Sequence, residues 1–407
     1  MKALFLGAML GALTLGACAA SAAGATLTVT HELAAARPAE IVAIPFVQIA
    51  AVMPEARMYH LVVRDSQGKV LPSQITNYQH DHRGVSYDDL VFSYDFAAGE
   101  KRATFTLENA ATASPPEAPC VYARFIPERY DDMAWENDRI AHRMYGTALN
   151  TPAALGERLR GSGIDVWAKR VTYPIVDRWY AKGHDQFHRD GEGEGLDLYS
   201  IGGLRGAGGT GVWDGTKLWT SDNFASAQVF ANGPRRAAFK LAYAPFDAGA
   251  AGKVTETKNF TVDCGRNFDA VESVFQFAGA ETVVAIGLTE HKTAAGFAAA
   301  VVTSGDRWMS VWEDTKDGGV GVAAILANGA QAAGIAQEGP DDRGNINHLL
   351  LVKAAAGAPL RYFTGAGWNK SGQFADRAAW ESYVRDFAAR VGKPLTATLS
   401  VTLGARP

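Results

Sequence analysis

GHDQFHRDGEGEGLDLYSIGGLRGAGG, residues Gly183 to Gly209, sets eight glycines between Gly191 and Gly209 among His184, Asp185, His188, Asp190, Glu192, Glu194, Asp197, Tyr199 and Arg205. Its reading decides the fold class. Glycine at this density serves either a phosphate-cradling loop between a strand and a helix, or tight turns in a β scaffold. A phosphate loop needs GxxxxGK[ST] inside a βαβ unit. Gly202, Gly203, Gly206, Gly208, Gly209 and Gly211 lead to no such Lys-Ser/Thr pair. The stretch therefore reads as turns with positive φ and close backbone approach.

The flanking sequence agrees. Before the stretch, Thr26–Thr30, Glu40–Ala50, Tyr59–Val63, Leu90–Phe96 and Lys101–Leu107 are β-branched or alternating segments, separated by turn signals such as Asp65-Ser66-Gln67-Gly68. After it come Val212–Trp219, Arg236–Tyr243, Lys253–Val262, Ala270–Phe277, Thr282–Leu288, Trp308–Glu313, His348–Val352 and Leu395–Leu403. Helices are few. Ala153–Arg160 follows Thr151 and Pro152, and Val176–Lys182 is short. Trp380, Tyr383, Val384, Phe387, Ala388 and Val391 recur at helical spacing, and Gly392 and Pro394 stop the run. The spacing predicts an all-β protein with a few helices: an N-terminal β-sandwich, then a large antiparallel β-sandwich. Glu108–Pro119, with three prolines, is the boundary. The expected parts are a targeting segment over 1–23, a sandwich over 24–112 and a larger domain over 120–407 that carries the site.

The 407 residues are 47% hydrophobic, and Lys+Arg 39 against Asp+Glu 43 leaves a net charge of -4. That balance argues against nucleic acid and an anionic membrane surface as partners. Lys2 and the apolar Leu4–Leu15 read as an export signal. Ala20-Ser21-Ala22 offers a cleavage site, and Leu15-Gly16-Ala17-Cys18 offers a lipobox that would place a lipid anchor on Cys18. The expected location is the periplasm or the outer membrane. Cys120 and Cys264 then read equally as a disulfide or as two packed thiols.

A second polar run, Arg129-Tyr130-Asp131-Asp132-Met133-Ala134-Trp135-Glu136-Asn137-Asp138-Arg139-Ile140-Ala141, resembles the R-x-D-D-x-A-W-E-N-D signature of a family of secreted bacterial proteins labelled a domain of unknown function. His188-x-Asp190, Gly193-Glu194-Gly195-Leu196-Asp197-x-Tyr199, Gly206-x-Gly208-Gly209 and Tyr362–Gly372 match its pattern, with Gly191-Glu192 inserted in the loop. The resemblance implies a galactose-mutarotase-like supersandwich and a role in the use of uronic-acid polysaccharides such as pectin and ulvan. It also implies a dehydratase or lyase acting on oligosaccharides by elimination.

Elimination from a uronate needs a group that neutralises the carboxylate, a base for the α-proton and an acid for the leaving oxygen. His188 titrates in the right range for the base, and Tyr199 can donate as the acid. Arg139 completes the expected catalytic set, and Arg143, four residues on, is a second guanidinium for a carboxylate. Trp135 and Trp368 are sugar-stacking candidates, and Lys370 is a carboxylate contact beside Trp368. Glu136, Asp138, Asp190, Glu194 and Asp197 stand as saccharide contacts with three open readings: oxygen ligands for Ca²⁺, a carboxylate pair for glycoside hydrolysis, or caps for turns. His184 and His188, four apart, would suit Zn²⁺ if helical. A binding protein that takes up a saccharide without turnover is the reading from a different class.

Overall fold

A computed structural model describes residues 24–78, 88–113, 117–151, 159–183, 186–292 and 300–402. The targeting segment with Cys18, most of the expected Ala153–Arg160 helix, and His184 with Asp185 lie outside these residues. The described chain is strand-dominated, with antiparallel sheets and three α-helices: α1 (Phe46–Val52), α2 (Val176–Lys182) and α3 (Arg377–Gly392). No described helix is long and apolar enough to cross a membrane.

Two sheets make the N-terminal sandwich. One joins Gly24–Thr30, Arg102–Asn109, Leu61–Arg64 and Val70–Leu71; the other joins Arg37–Pro45, Asp89–Phe96 and Ser73–Ile75. Alternation drives the packing: Leu27, Val29, Phe92, Phe105 and Leu107 point inward and are fully buried. The expected strand Glu40–Ala50 ends at Pro45, and Phe46 onward coils into α1 to bury Ile49. The final strand, Thr396–Thr402, pairs with Gly24–Thr30 over its whole length. The C-terminal residues assigned from sequence to the larger part thus complete the smaller one.

Three sheets surround the larger core. A nine-stranded sheet runs from Phe224–Asn232 through Arg236–Tyr243, Lys253–Asp263, Phe268–Gln276, Pro359–Trp368, Gly318–Leu326 and Trp308–Thr315 to Val301–Gly305, with Phe246–Asp247 also paired to Lys253–Asp263. A five-stranded sheet orders Leu218–Trp219, Ala207–Trp213, Glu281–Glu290, Ile346–Ala355 and Gly334–Glu338. A second five-stranded sheet, called the motif sheet below, orders Gly195–Tyr199, Asp165–Lys169, Ala141–Met144, Asp132–Glu136 and Tyr122–Ile126. Their inner faces share one apolar cluster, to which Met133, Trp135 and Tyr199, Ile286 and Leu288, and Phe260, Val311 and Val322 all belong. Burying each large side chain contributes about 1.5–3 kcal/mol. Cys120 and Cys264 form a disulfide. It links the entry to the motif sheet with the end of Lys253–Asp263.

Helix α3 forms as its spacing predicts. The Asp376 side chain accepts from Ala379 N at 2.9 Å, and Trp380, Val384 and Phe387 pack on Phe268, Trp312 and Ile325 of the nine-stranded sheet. The glycines serve close approach. Gly208 has φ +104°, and a Cβ there would sit 2.2 Å from Thr364 Oγ1.

Candidate active site

The two polar runs meet in the motif sheet. Arg129-Tyr130-Asp131-Asp132 makes its entry turn, with Tyr130 and Asp131 at φ +55° and +65°. Asp132–Glu136 pairs with Ala141–Met144, which pairs with Asp165–Lys169, which pairs with Gly195–Tyr199. The outer face of this sheet is covered by α2 and the 186–194 turn. The inner face meets the sandwich core.

The outer face holds buried, mutually paired charge, within which Arg143 Nη1 and Asp132 Oδ1 make no hydrogen bond. Arg143 is 3% exposed; it donates through Nη2 to Asp165 Oδ2 at 2.6 Å and to Asp197 Oδ2 at 3.0 Å, and lies over Trp167 and Phe187. Asp132 lies 3.9 Å from its Nη1. Burial raises Asp132 to about 6, opposed by the Arg143 charge. Burial and the neighbouring Asp165 also push Asp197 well above the carboxylate range, again against Arg143. Lys169 Nζ reaches Glu136 Oε2 at 2.6 Å, while Glu136 accepts from the backbone N of Ile175 and Val176 at the start of α2. Burial opposes ionisation of Glu194, yet hydrogen bonds from Lys182, Tyr173, Arg178 and Trp179 hold it down at about 2.

Several sequence expectations change here. Arg143 is buried against two carboxylates, out of reach of a substrate's. Trp135 and Trp368 are 0% and 1% exposed, so neither is a sugar platform. Trp135 packs on Phe239 and Phe260 and donates to Asp269 Oδ2 at 2.7 Å, while Trp368 donates to Asp317 O at 3.0 Å. Glu136, Asp138, Asp190, Glu194 and Asp197 do not converge. They are engaged respectively by Lys169, Gly265 N, Arg170, Lys182 with Arg178, and Arg143. Among the described residues, the grouping of possible metal ligands is Cys120, Asp138 and Cys264, whose two sulfurs are bonded to each other. Arg139 lies in the turn after Asp132–Glu136, beyond the Lys169 end of the sheet, whereas Tyr199 pairs with Val166 towards the other end. Lys370 is exposed in the short 3-10 turn Asn369–Ser371.

The His188–Tyr199 pair also separates, for a reason the sequence conceals. Asp197 and Tyr199, two apart, should share a face. A bulge intervenes: Trp167 opposes Asp197 and the next residue back, Val166, opposes Tyr199. The extra residue, Leu198, reverses the parity. Asp197 stays outside, where His188 Nδ1 lies 3.6 Å from its Oδ2; Tyr199 turns into the core and donates to Thr289 O at 2.6 Å. Burial, and then the Glu313 charge, push the Tyr199 hydroxyl well above its ordinary range.

Tyr199 does meet a histidine, and it is His291. The two rings meet edge to face at 4.7 Å. This contact forms the floor of a cleft of about 200 Å³ lined by Leu198, Tyr199, Ser200, His291, Lys292 and the 313–317 turn. His291 follows the strand Glu281–Glu290, and Glu313 stands in Trp308–Thr315, so all three sheets of the larger part contribute to the cleft. His291 Nδ1 lies 2.8 Å from Glu313 Oε2, and its Nε2 lies 2.5 Å from Ser200 O. Both neighbours are acceptors only, so the ring satisfies both as a doubly protonated imidazolium. Burial works against that charge, but the Glu313 hydrogen bond and charge and the Ser200 carbonyl raise the His291 pKa above its ordinary value. Its side chain is 27% exposed, open enough to reach a ligand. Beside it, Glu290 Oε2 lies 2.6 Å from His348 Nε2. Sequence reasoning passed over His291 and Glu313; the available signal was Thr289-Glu290-His291-Lys292, an abrupt polar cluster ending an apolar strand.

Fold and cleft define a two-sandwich β protein with a buried-sided histidine–carboxylate cleft where its sheets meet. Residues 29–397 match the family described as "Domain of unknown function (DUF4861)", and the chain belongs to that family. The "Uncharacterized protein P7" of Formosa agariphila is 34% identical over 285 residues, which cover 68% of this chain and 69% of that protein. Among solved structures, a protein in the glycosyl hydrolase family 38 from Enterococcus faecalis aligns over 92% of this chain and 47% of its own, at 11% identity and TM-score 0.47. An alpha-mannosidase from Enterococcus faecalis V583 aligns over 92% and 46%, at 10% identity and TM-score 0.48. The chain spans about half the length of these two structures.

Proposed function

We propose that this protein is an exported carbohydrate-active enzyme that acts on uronic-acid-containing oligosaccharides by β-elimination, as an oligosaccharide dehydratase or lyase, in the cleft between Tyr199 and the 313–317 turn. The observation that carries the reading is His291, whose two ring nitrogens face Glu313 and Ser200 O in a cleft. It replaces His188 and Tyr199 as the proton-transferring centre. In this reading the departing oxygen takes the place of Ser200 O at His291 Nε2 and receives the proton held there, while Glu313 keeps Nδ1, fixes the ring and stabilises its charge. Lys292 and Lys316 at the rim neutralise the substrate carboxylate. The base comes from the remaining carboxylates of the cleft. Asp314 Oδ1 accepts from Trp312 Nε1 at 3.0 Å and Asp317 Oδ2 lies 3.7 Å from Lys316 Nζ; this reading assigns the base to Asp317. The proton taken from the carbon α to the carboxylate goes to Asp317, the C–O bond breaks as the C=C bond forms, and the oxygen leaves with the proton of His291. The Cys120–Cys264 disulfide supports export.

The test is incubation with oligosaccharides derived from pectin, ulvan and glucuronoxylan, followed by product masses and ultraviolet absorbance. Loss of water indicates a dehydratase, and fragments summing to the substrate with new absorbance indicate a lyase. Addition of water without absorbance would overturn elimination and favour hydrolysis with Glu313 in a carboxylate pair. Binding without product would make the cleft a saccharide receptor.

A further inference from the structure

We propose that Arg170 is a positioning residue that ties the glycine-rich turn on the outer face of the motif sheet to the wall of the cleft on the other side. The proposal rests on reading that cleft as the active site. Arg170 follows the strand Asp165–Lys169, and its backbone N donates to Glu194 O at 3.0 Å. Its guanidinium does two things at once: it bonds the Asp190 carboxylate, and it lies over the Trp368 ring at 4.9 Å. Asp190 in turn accepts from Gly195 N at 3.0 Å, which closes the glycine-rich turn. On the far side, Trp368 Nε1 donates to Asp317 O at 3.0 Å, and Asn369 Oδ1 accepts from Gly319 N at 3.0 Å. Those two bonds hold the 314–318 segment, which walls the cleft and carries the proposed base.

The wall has no slack at this point. Gly318 has φ +116°, and a Cβ there would lie 2.5 Å from Asn369 Oδ1 and 2.9 Å from Trp368 Nε1. A shift of Trp368 is therefore transmitted to Asp317. Arginine suits the junction because one flat guanidinium can bond a carboxylate at its edge and stack on an indole with its face; lysine does the first and not the second. The chain of contacts runs Gly195, Asp190, Arg170, Trp368, Asp317. It gives the W-N-K motif and the H-x-D…G-E-G motif, far apart in sequence, one shared task.

Hydrogen–deuterium exchange on the whole chain tests this without any substrate. Arg170→Ala and Asp190→Asn are both expected to speed exchange of the Asp317–Gly319 amides by about tenfold or more. The amides of Gly334–Glu338 should be unchanged. Arg170→Lys should resemble Arg170→Ala, since stacking rather than charge is lost. If Arg170→Ala loosens the wall and Asp190→Asn does not, Arg170 acts by local packing alone and the coupling is wrong. If neither variant changes the wall, the whole proposal is wrong. Kinetics then separate it from the site reading. With a turned-over oligosaccharide, Arg170→Ala should raise KM more than it lowers kcat. Full activity of His291→Gln would sink the site reading and leave the exchange result standing.

Discussion

The two faces of the motif sheet use ionisable groups in opposite ways. On the outer face Arg143, Asp165, Asp197, Lys169 and Glu136 are buried and consume one another's charge. On the inner face, at its Tyr199 end, one histidine and one glutamate brought from distant strands stand at an opening. Density of polar motif residues thus marks the place where the fold is specified. The cleft proposed here to take a ligand lies instead among sparse polar residues at strand ends. The difference is testable, because charge that is consumed by the fold should answer to stability measurements and charge at the opening should answer to kinetics.

The largest effect should fall on the outer face. Arg143→Ala strands the carboxylates of Asp165, Asp197 and Asp132 out of reach of water. Removing one partner of a buried ion pair costs about 3–5 kcal/mol, and that loss should appear as a lower midpoint in urea unfolding. A variant that unfolded like the parent would show that water reaches this face, and the division between the faces would fail.

His291→Gln should do the reverse. Loss of a general acid lowers kcat by about 10²–10⁴-fold, with a smaller change in the unfolding midpoint than Arg143→Ala gives. The pH dependence has a definite sign. The His291 pKa is raised by Glu313 and Ser200 against the opposing effect of burial. Its protonated form, and the stability from its pairing, is fully present below the ordinary histidine pKa and is lost as pH rises through the raised value. Activity should therefore fall on the alkaline side of that higher pKa, and Glu313→Gln should move the limb to lower pH. A limb that did not move would detach Glu313 from His291.

Tyr199→Phe probes the residue that the two readings share. The hydroxyl is buried and bonded to Thr289 O. Its loss should cost about 1 kcal/mol of stability and leave kcat within about threefold. A drop of several hundredfold in kcat at unchanged stability would restore Tyr199 as the acid.

Much of the fold was legible because alternation and turn chemistry are local. Helix α3 and α2 stand where their spacing puts them, and the strands of the larger part follow their hydrophobic period. Three things were not local. The pairing of Thr396–Thr402 with the first strand spans the entire chain. The bulge at Leu198 is a property of two strands together, yet it decides which way Tyr199 points. Burial cannot be read from residue type: Trp135, Trp368, Arg143 and Glu136 look like ligand contacts in the sequence and are packed or paired in the fold. His291 and Glu313, 22 residues apart, gain meaning only when their two sheets bring the imidazole to the carboxylate.

The smallest effect belongs to Lys370, the one site candidate of the Tyr362–Gly372 motif that stays exposed. Its backbone completes the turn that follows Trp368, while its Cε approaches Gly318, behind the cleft wall. The motif therefore acts on the cleft through Trp368 and Asn369, from behind, and the Lys370 ammonium is not needed for it. Lys370→Ala should change stability by less than about 0.5 kcal/mol, the usual range for a surface substitution. Because a rim charge worth about 1 kcal/mol would alter KM roughly fivefold, an unchanged KM would confine carboxylate recognition to Lys292 and Lys316. A fivefold rise would extend the cleft around the wall to the W-N-K turn and blur the contrast between the residues that build the site and those that touch its ligand.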